Sequence, residues 1–264
     1  ENFGRFIDRI RPELVTMENV PEIEGRGRVI FDRFLRILKK AKYNVDWAVV
    51  FCPRYGIPQS RRRLVLLASR LGPIEIPPGY CTPGTYLTVR ETIERLPRVK
   101  SGGIDPHDAL HAAPLLSKLN LKRIRATPTD GGSRKSWSEK LMLKCHKKES
   151  GKTYGSIYGR MWWDEPASTM TTLCTGIGNG RFGHPEQDRS ITLREAALFQ
   201  TFPRSYEFWP QKERINRSAV SRMIGNAVPP RLAAALGKRL MEHAAEHGYE
   251  ALTGSRSNAR SAAG

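Results

Sequence analysis

Apolar and polar positions follow two rhythms along the first part of the chain. Residues 14–17 (LVTM), 47–51 (WAVVF) and 64–68 (LVLLA) are short, continuous apolar runs of strand length. In the basic stretch VIFDRFLRILKKAKY, by contrast, Ile30, Phe34, Leu38 and Ala41 recur at helical spacing. The predicted order is strand, helix, strand, loop, strand, half of an α/β sheet. A strand that reaches the next through a helix implies a right-handed parallel crossover. Between Phe51 and Leu64 lies only CPRYGIPQSRRR, punctuated by Pro53, Gly56 and Pro58. A parallel connection takes about a dozen or more residues and a helix, so the last two strands are predicted to be antiparallel.

That pairing has a geometric consequence. Glu18 follows the carboxyl end of the first strand, and the loop over 52–63 joins the carboxyl end of the second strand to the amino end of the third. Both fall at one edge of the sheet, the edge where open α/β folds bind ligands. Glu18, Asn19, Gln59, Arg61 and Arg63 are therefore expected to converge on one pocket.

The sheet pattern stops at the proline- and glycine-rich GPIEIPPGYCTPGTY, which reads as a linker. Thr88 with Glu91 then forms a capping box, opening a short helix that Pro97 ends. Residues 100–180 show little periodicity, many glycines and clustered positive charge, including Lys118, Lys122, Arg123, Arg125, Arg134, Lys135, Lys140, Lys144, Lys147, Lys148 and Lys152, interleaved with Trp137, Tyr154, Tyr158, Trp162 and Trp163. A second capping box, Thr192 with Glu195, starts TLREAALFQ and needs only a structural reading. A helix over 215–224 is expected to end at Gly225-Asn226, a pair suited to the left-handed region. Pro229-Pro230 then opens RLAAALGKRLMEHAAEHG, with Leu232, Leu236 and Leu240 on its buried face. The expected division is an α/β domain over 1–86, a smaller loop-rich domain over 87–212, helices returning to the first over 213–250, and a disordered tail over 251–264.

Composition narrows the class. With 264 residues, 39% of them hydrophobic, the chain can bury a core in one large or two small domains. No apolar run approaches the roughly 18 residues of a membrane span and no signal peptide opens the chain, so no membrane association and a cytoplasmic location are expected. Cys52, Cys81, Cys145 and Cys174 are scattered with no CxxC pair; buried free thiols are the default and no metal site is expected. The net charge of +18 points to a polyanionic partner, because neutralising phosphates releases counterions. Nucleic acid is the expected partner; an acidic protein or a solvated cationic face would carry the same charge. The basic, aromatic residues 100–180 fit nucleic-acid contact, and a small aromatic core with a solvated rim fits them too. The chain opens on Glu1 without methionine, close to an apolar strand, which reads as a segment of something longer or a processed or split subunit.

Four strings then occur in a fixed order: ENV after a strand, YGIPQSRRR before another, RSITLREAALFQTFP, and IGNAVPP, joined by TVRETIERLP and YGRMWWDEPASTMTT. Together they resemble the DNA cytosine-5 methyltransferases, specifically the second half of their catalytic chain, over Arg11 to about Leu240. The resemblance implies an α/β fold, the second half of a Rossmann-like S-adenosylmethionine-dependent methyltransferase sheet over 1–86, with a smaller target-recognition domain. It also implies methyl transfer from S-adenosylmethionine to C5 of a cytosine flipped out of double-stranded DNA, in a prokaryotic, nucleoid-associated restriction-modification setting. By motif, Glu18 would hold N3 and the exocyclic amine of the cytosine, where a proton or strong hydrogen bond stabilises charge developing on the ring. Asn19 would brace the loop that Pro21 stiffens, Arg63 would donate to O2, and Gln59 and Arg61 would support the pocket, with a phosphate contact open for Arg61. Asn226 and Val228 match positions lining the methyl-donor site, and a purely structural helix start is the alternative there. Arg134, Lys135 and Arg160 are candidate DNA contacts.

The family's glycine-rich loop and its Pro-Cys nucleophile do not occur in the chain: Cys52 precedes a proline, and Cys81, Cys145 and Cys174 follow Tyr80, Lys144 and Leu173. The chain alone is expected not to methylate DNA. One reading is the carboxyl-terminal portion of an active enzyme, working with an amino-terminal half or subunit. The other is a catalytically dead DNA-binding remnant or regulatory module.

Overall fold

The computed structural model of the protein describes residues 2–148, 155–210, 213 and 215–249. Lys152, Tyr154 and the expected tail over 251–264 lie outside the described residues. The chain forms two compact units: one comprises Glu1–Val50, Arg62–Pro78 and the chain from Ala233 onward, the other Phe51–Arg61 and Gly79–Leu232. Residues 51–61 thus group with the later part of the chain, and the return to the first unit comes at Ala233.

In the first unit, α1 (Asn2–Ile10), β1 (Leu14–Asn19), α2 (Arg28–Lys40), β2 (Asn44–Phe51) and β4 (Arg62–Ser69) build a three-stranded sheet in the order β1-β4-β2 with its helices. β4 runs antiparallel to β1, from Leu14 opposite Ser69 to Asn19 opposite Leu64. Leu64, Val65, Leu66, Leu67 and Ala68 are all fully buried. A continuous apolar run is what a central strand covered on both faces requires. The first strand does not stop at Met17: Glu18 and Asn19 are its last two residues. Val15, Phe31, Leu38, Ala41, Tyr43, Leu64, Leu66 and Ala68 form the core of this unit.

Two details differ from the sequence expectation. The buried stripe of α2 is Phe31 and Leu38, while Ile30 is 55% exposed. One residue is about 100° of helix rotation, so a stripe anchored on the wrong apolar neighbour turns outward. Helix α1 was not anticipated, because its nine residues present Phe3 and Phe6 to solvent and bury only Gly4 and Ile7. Gly4 allows it to lie close on α2: a Cβ there would come within 2.8 Å of Ile37 Cδ1.

In the second unit, β3 (Gln59–Ser60) pairs in parallel with β7 (Ala167–Ser168), and β5 (Ile104–Asp105) pairs with β6 (Asp108–Ala112). Both capping boxes form as expected. Thr88 opens α3 (Val89–Ile93) with Glu91, and Thr192 opens α5 (Leu193–Phe199) with Glu195. Between them, α4 (Lys118–Arg125) starts at Ser117, whose hydroxyl accepts from Asn120 N; its charged sequence hid its period. Met161, Met170, Phe182, Ile191, Leu193, Phe199, Val220 and Ile224 belong to one buried cluster.

Helix α6 (Arg217–Asn226) includes Gly225 and Asn226, so the pair does not end it in a left-handed turn. Gly225 is needed for proximity instead: a Cβ would lie 2.4 Å from Thr171 C and Thr172 N. The last helix, α7 (Pro230–Glu246), begins at the expected proline and buries Leu232 and Leu236, with Leu240 half-buried. Among the described residues no helix is long and apolar enough to cross a membrane.

Candidate functional site

The register of β1 and β4 sets the first group. Glu18 is opposite Val65, and Arg63, two residues earlier on β4, projects from the same face on the diagonal. That diagonal is about 7–8 Å between backbones, within reach of a long side chain. Arg63 Nε lies 2.8 Å from Glu18 Oε1, with the two side chains only 14% and 18% exposed. Arg63 Nη1 also donates to the Arg62 carbonyl at 2.7 Å. Asn19 Oδ1 accepts from Val20 N at 2.8 Å, so its amide shapes the turn leaving the strand. The sheet edge therefore holds an acid whose charge is already matched by an arginine.

A second group lies in the other unit. Gln59 is buried; its Oε1 accepts from Met170 N at 2.7 Å, and its Nε2 donates to Gln200 Oε1 at 2.9 Å and to the Phe199 carbonyl at 3.2 Å. Arg61 is 1% exposed, donating from Nη1 to Met170 O at 2.9 Å and from Nη2 to Gly225 O at 3.0 Å. The planar fork of Arg61 is turned inward onto carbonyl oxygens rather than toward the surface, and it ties YGIPQSRRR to IGNAVPP. Its carbonyl also accepts from Cys52 N, at 2.9 Å, and Ala167 N donates to Pro58 O at 3.0 Å. Gln200 belongs to this network, donating to Ile224 O at 2.5 Å. The sequence does not single out either the Met170 carbonyl, because a backbone acceptor leaves no residue-type signal, or Gln200, which reads there as an ordinary polar helix end. Beyond Gly225, Asn226 is exposed and Val228 half-buried.

The basic region divides sharply. Lys135 is exposed, whereas Arg134 and Arg160 are buried. Arg160 donates to the carbonyls of Thr127, His184, Gln187 and Ile124, and its Nη2 is 2.5 Å from Asp188 Oδ1. Its three nitrogens are all engaged inside the protein, which corrects the expectation that it contacts DNA. Arg181 stacks over Trp162 at 3.9 Å while its Nη1 donates to the carbonyls of Gly131 and Arg160. Of the tryptophans in this region Trp137 is buried, Trp163 is half-buried and Trp162 is 43% exposed.

Behind these loops Arg189 and Glu195 form a fully buried bidentate pair, both contacts at 2.8 Å. Burial raises the Glu195 pKa, and the Arg189 hydrogen bonds outweigh it, holding the carboxyl at about 2. Burial depresses the His184 imidazole to about 3, and its Nδ1 accepts from Glu186 N and Gln187 N. Among the thiols, Cys52 and Cys174 are buried, Cys81 is half-buried and Cys145 is exposed, the last against expectation. Burial also raises the Cys174 pKa, which keeps that thiol protonated and inert.

Comparison with known proteins converges on one family. Residues 2–242 match the family model of the C-5 cytosine-specific DNA methylases. The chain is 52% identical over 240 residues to the type II methylase M.HgiDII of Herpetosiphon aurantiacus, covering 90% of this chain and 67% of that protein. It is 32% identical to the type II methyltransferase M1.BsuMI of Bacillus subtilis, covering 87% of this chain and 51% of that one. Its fold superimposes on that of a Spodoptera frugiperda DNMT2 variant with a TM-score of 0.57 at 17% identity, over 90% of this chain and 70% of the other. An α/β methyltransferase fold, motifs in order along the chain and a relative identical at half its aligned positions agree, and the protein belongs to the C-5 cytosine-specific DNA methylase family.

Proposed function

We propose that this chain supplies the cytosine grip and the DNA-recognition surface of a DNA cytosine-5 methyltransferase, and that a polypeptide outside these 264 residues carries the glycine-rich loop and the Pro-Cys nucleophile. The observation that carries the reading is the Glu18–Arg63 pair at 2.8 Å on neighbouring strands. An acid and a guanidinium held side by side can offer an acceptor for an exocyclic amine, a partner for N3 and a donor for O2, the edge by which a flipped cytosine is read. Gln59 and Arg61 act as positioning residues, fixing loops rather than touching the base. β1 pairs with β4 alone among the described residues, so its second edge is open to a further strand. Asn226 and Val228 set a polar amide beside an apolar side chain, which suits the rim of a nucleoside site. S-adenosylmethionine, when bound, supplies the methyl group. Lys135 and the exposed lysines of residues 100–148 supply duplex attraction through phosphate neutralisation.

Labelled methyl transfer from S-adenosylmethionine tests this. The chain alone is expected to transfer none to a cytosine-containing duplex, and the chain combined with the missing half is expected to transfer readily. Transfer by the chain alone would overturn the placement of the nucleophile. Duplex binding without transfer in the combined sample would leave a DNA-binding module without catalysis.

A further inference from the structure

We propose that His243 and Glu246, in the last turn of α7, and His247, the residue directly after it, bind one divalent metal ion of the zinc class. The spacing His-x-x-Glu-His brings the three together at the end of the helix, and one potential ligand atom from each lies within 4.8 Å of the others. Nothing in the methyl-transfer reading uses them.

The second observation is how the two imidazoles are held. His243 is fully buried, with Nε2 2.7 Å from Ser69 Oγ at the end of β4. That hydroxyl oxygen also accepts from Leu71 N at 3.0 Å. In the tautomer whose Nε2–H donates to Ser69 Oγ, Nδ1 is the lone-pair nitrogen. Nδ1 is buried without a hydrogen-bond partner among the described residues, 3.8 Å from Glu246 Oε2. A buried polar atom left unpaired calls for an explanation, and a bound ion is one. His247 Nδ1 is 2.8 Å from the His243 carbonyl. Donation there leaves Nε2 as its lone pair, the arrangement in which a backbone carbonyl orients a ligating histidine. The His247 ring packs closely on Gly72, where a Cβ would sit 2.5 Å from Nε2 and push the ring away.

Two imidazole nitrogens and a carboxylate oxygen suit zinc, with water completing the tetrahedron. The carboxyl end of the helix adds a partial negative charge. One group competes: Arg239 Nη1 lies 3.0 Å from Glu246 Oε1 and Nη2 3.4 Å from Oε2. A bound ion would draw Glu246 from Arg239 and fasten the end of α7 to the end of β4.

Calorimetric titration of tag-free, full-length chain with ZnCl2 tests the proposal, with Co2+ absorption as a second signal. One Zn2+ per chain is expected, with visible Co2+ bands of a four-coordinate nitrogen and oxygen site. His247→Gln, Glu246→Gln and Gly72→Ala, all away from the buried His243 ring, are expected to lower affinity about tenfold or more. Arg239→Gln is expected to tighten binding. Absence of saturable one-to-one binding would overturn the site, as would binding that His247→Gln and Gly72→Ala leave unchanged.

Discussion

Glu18 and Arg63 meet on the diagonal of two antiparallel strands, Oε1 to Nε at 2.8 Å, because Glu18 pairs with Val65 and Arg63 stands two residues before it. Removing either partner strands a mostly buried charge. Glu18→Ala and Arg63→Ala are each expected to cost about 1–3 kcal/mol in urea unfolding, and the double variant less than their sum. In the combined enzyme, Glu18→Ala should cut turnover strongly while leaving affinity for unflipped duplex nearly unchanged. Equal loss of both quantities would make the residue structural.

This pair was legible in the sequence because a loop too short for a crossover forces an antiparallel neighbour, and that fixes the end of β4 that meets the end of β1. The capping boxes were legible for a similar reason: two side chains three residues apart satisfy backbone donors locally, whatever surrounds them. Arg61 and Arg160 were not. Charged residues default to the surface, and only a three-dimensional ring of carbonyl oxygens makes their burial favourable. Nor was Gly225, whose role depends on how closely Thr171 approaches rather than on its own turn.

Gly225→Ala tests that approach. The added Cβ would meet backbone atoms of Thr171 and Thr172 at 2.4 Å, which a small rotamer change cannot relieve. A loss of about 1–3 kcal/mol in stability is expected, with an unchanged denaturant slope. The same change should displace the Gly225 carbonyl that Arg61 holds. A stability equal to the unsubstituted protein would show that α6 can move without cost.

Arg61→Lys separates bracing from phosphate contact. A lysine cannot donate to Met170 O and Gly225 O at once in the planar geometry of the guanidinium. Stability is expected to fall by about 1–3 kcal/mol. The salt dependence of DNA binding by the folded variant should match that of the unsubstituted chain, because no phosphate contact is lost. A slope shallower by about one would mean that Arg61 does reach DNA.

Stability should decline with acid in two stages. The folded pKa of His184 is about 3 against an ordinary 6.5, so below pH 6.5 the unfolded chain takes up the proton first. Stability contributed by the neutral ring is complete above pH 6.5 and is lost as pH falls, by about 2 kcal/mol at pH 5. Glu195, held at about 2 against 4.5, adds a second loss below pH 4.5. Melting temperatures from pH 7.5 to 4.5 should therefore fall steadily, and more gently in His184→Gln. A flat profile in the unsubstituted protein would contradict the burial of neutral His184.

Lys135 and Arg160 are both candidate DNA contacts by sequence, and their burial gives them opposite predictions. Lys135 is exposed. Its replacement by alanine should leave stability within about 0.5 kcal/mol, weaken duplex binding, and reduce the slope of log affinity against log salt by about one. Arg160 is buried with four carbonyls and Asp188 around it. Arg160→Ala should cost about 3–5 kcal/mol by leaving those acceptors unpaired, with the salt slope of the remaining folded protein intact. Fluorescence anisotropy on a labelled duplex across a salt series, alongside unfolding curves, distinguishes the two. A reduced slope for Arg160→Ala with normal stability would return that residue to the DNA surface.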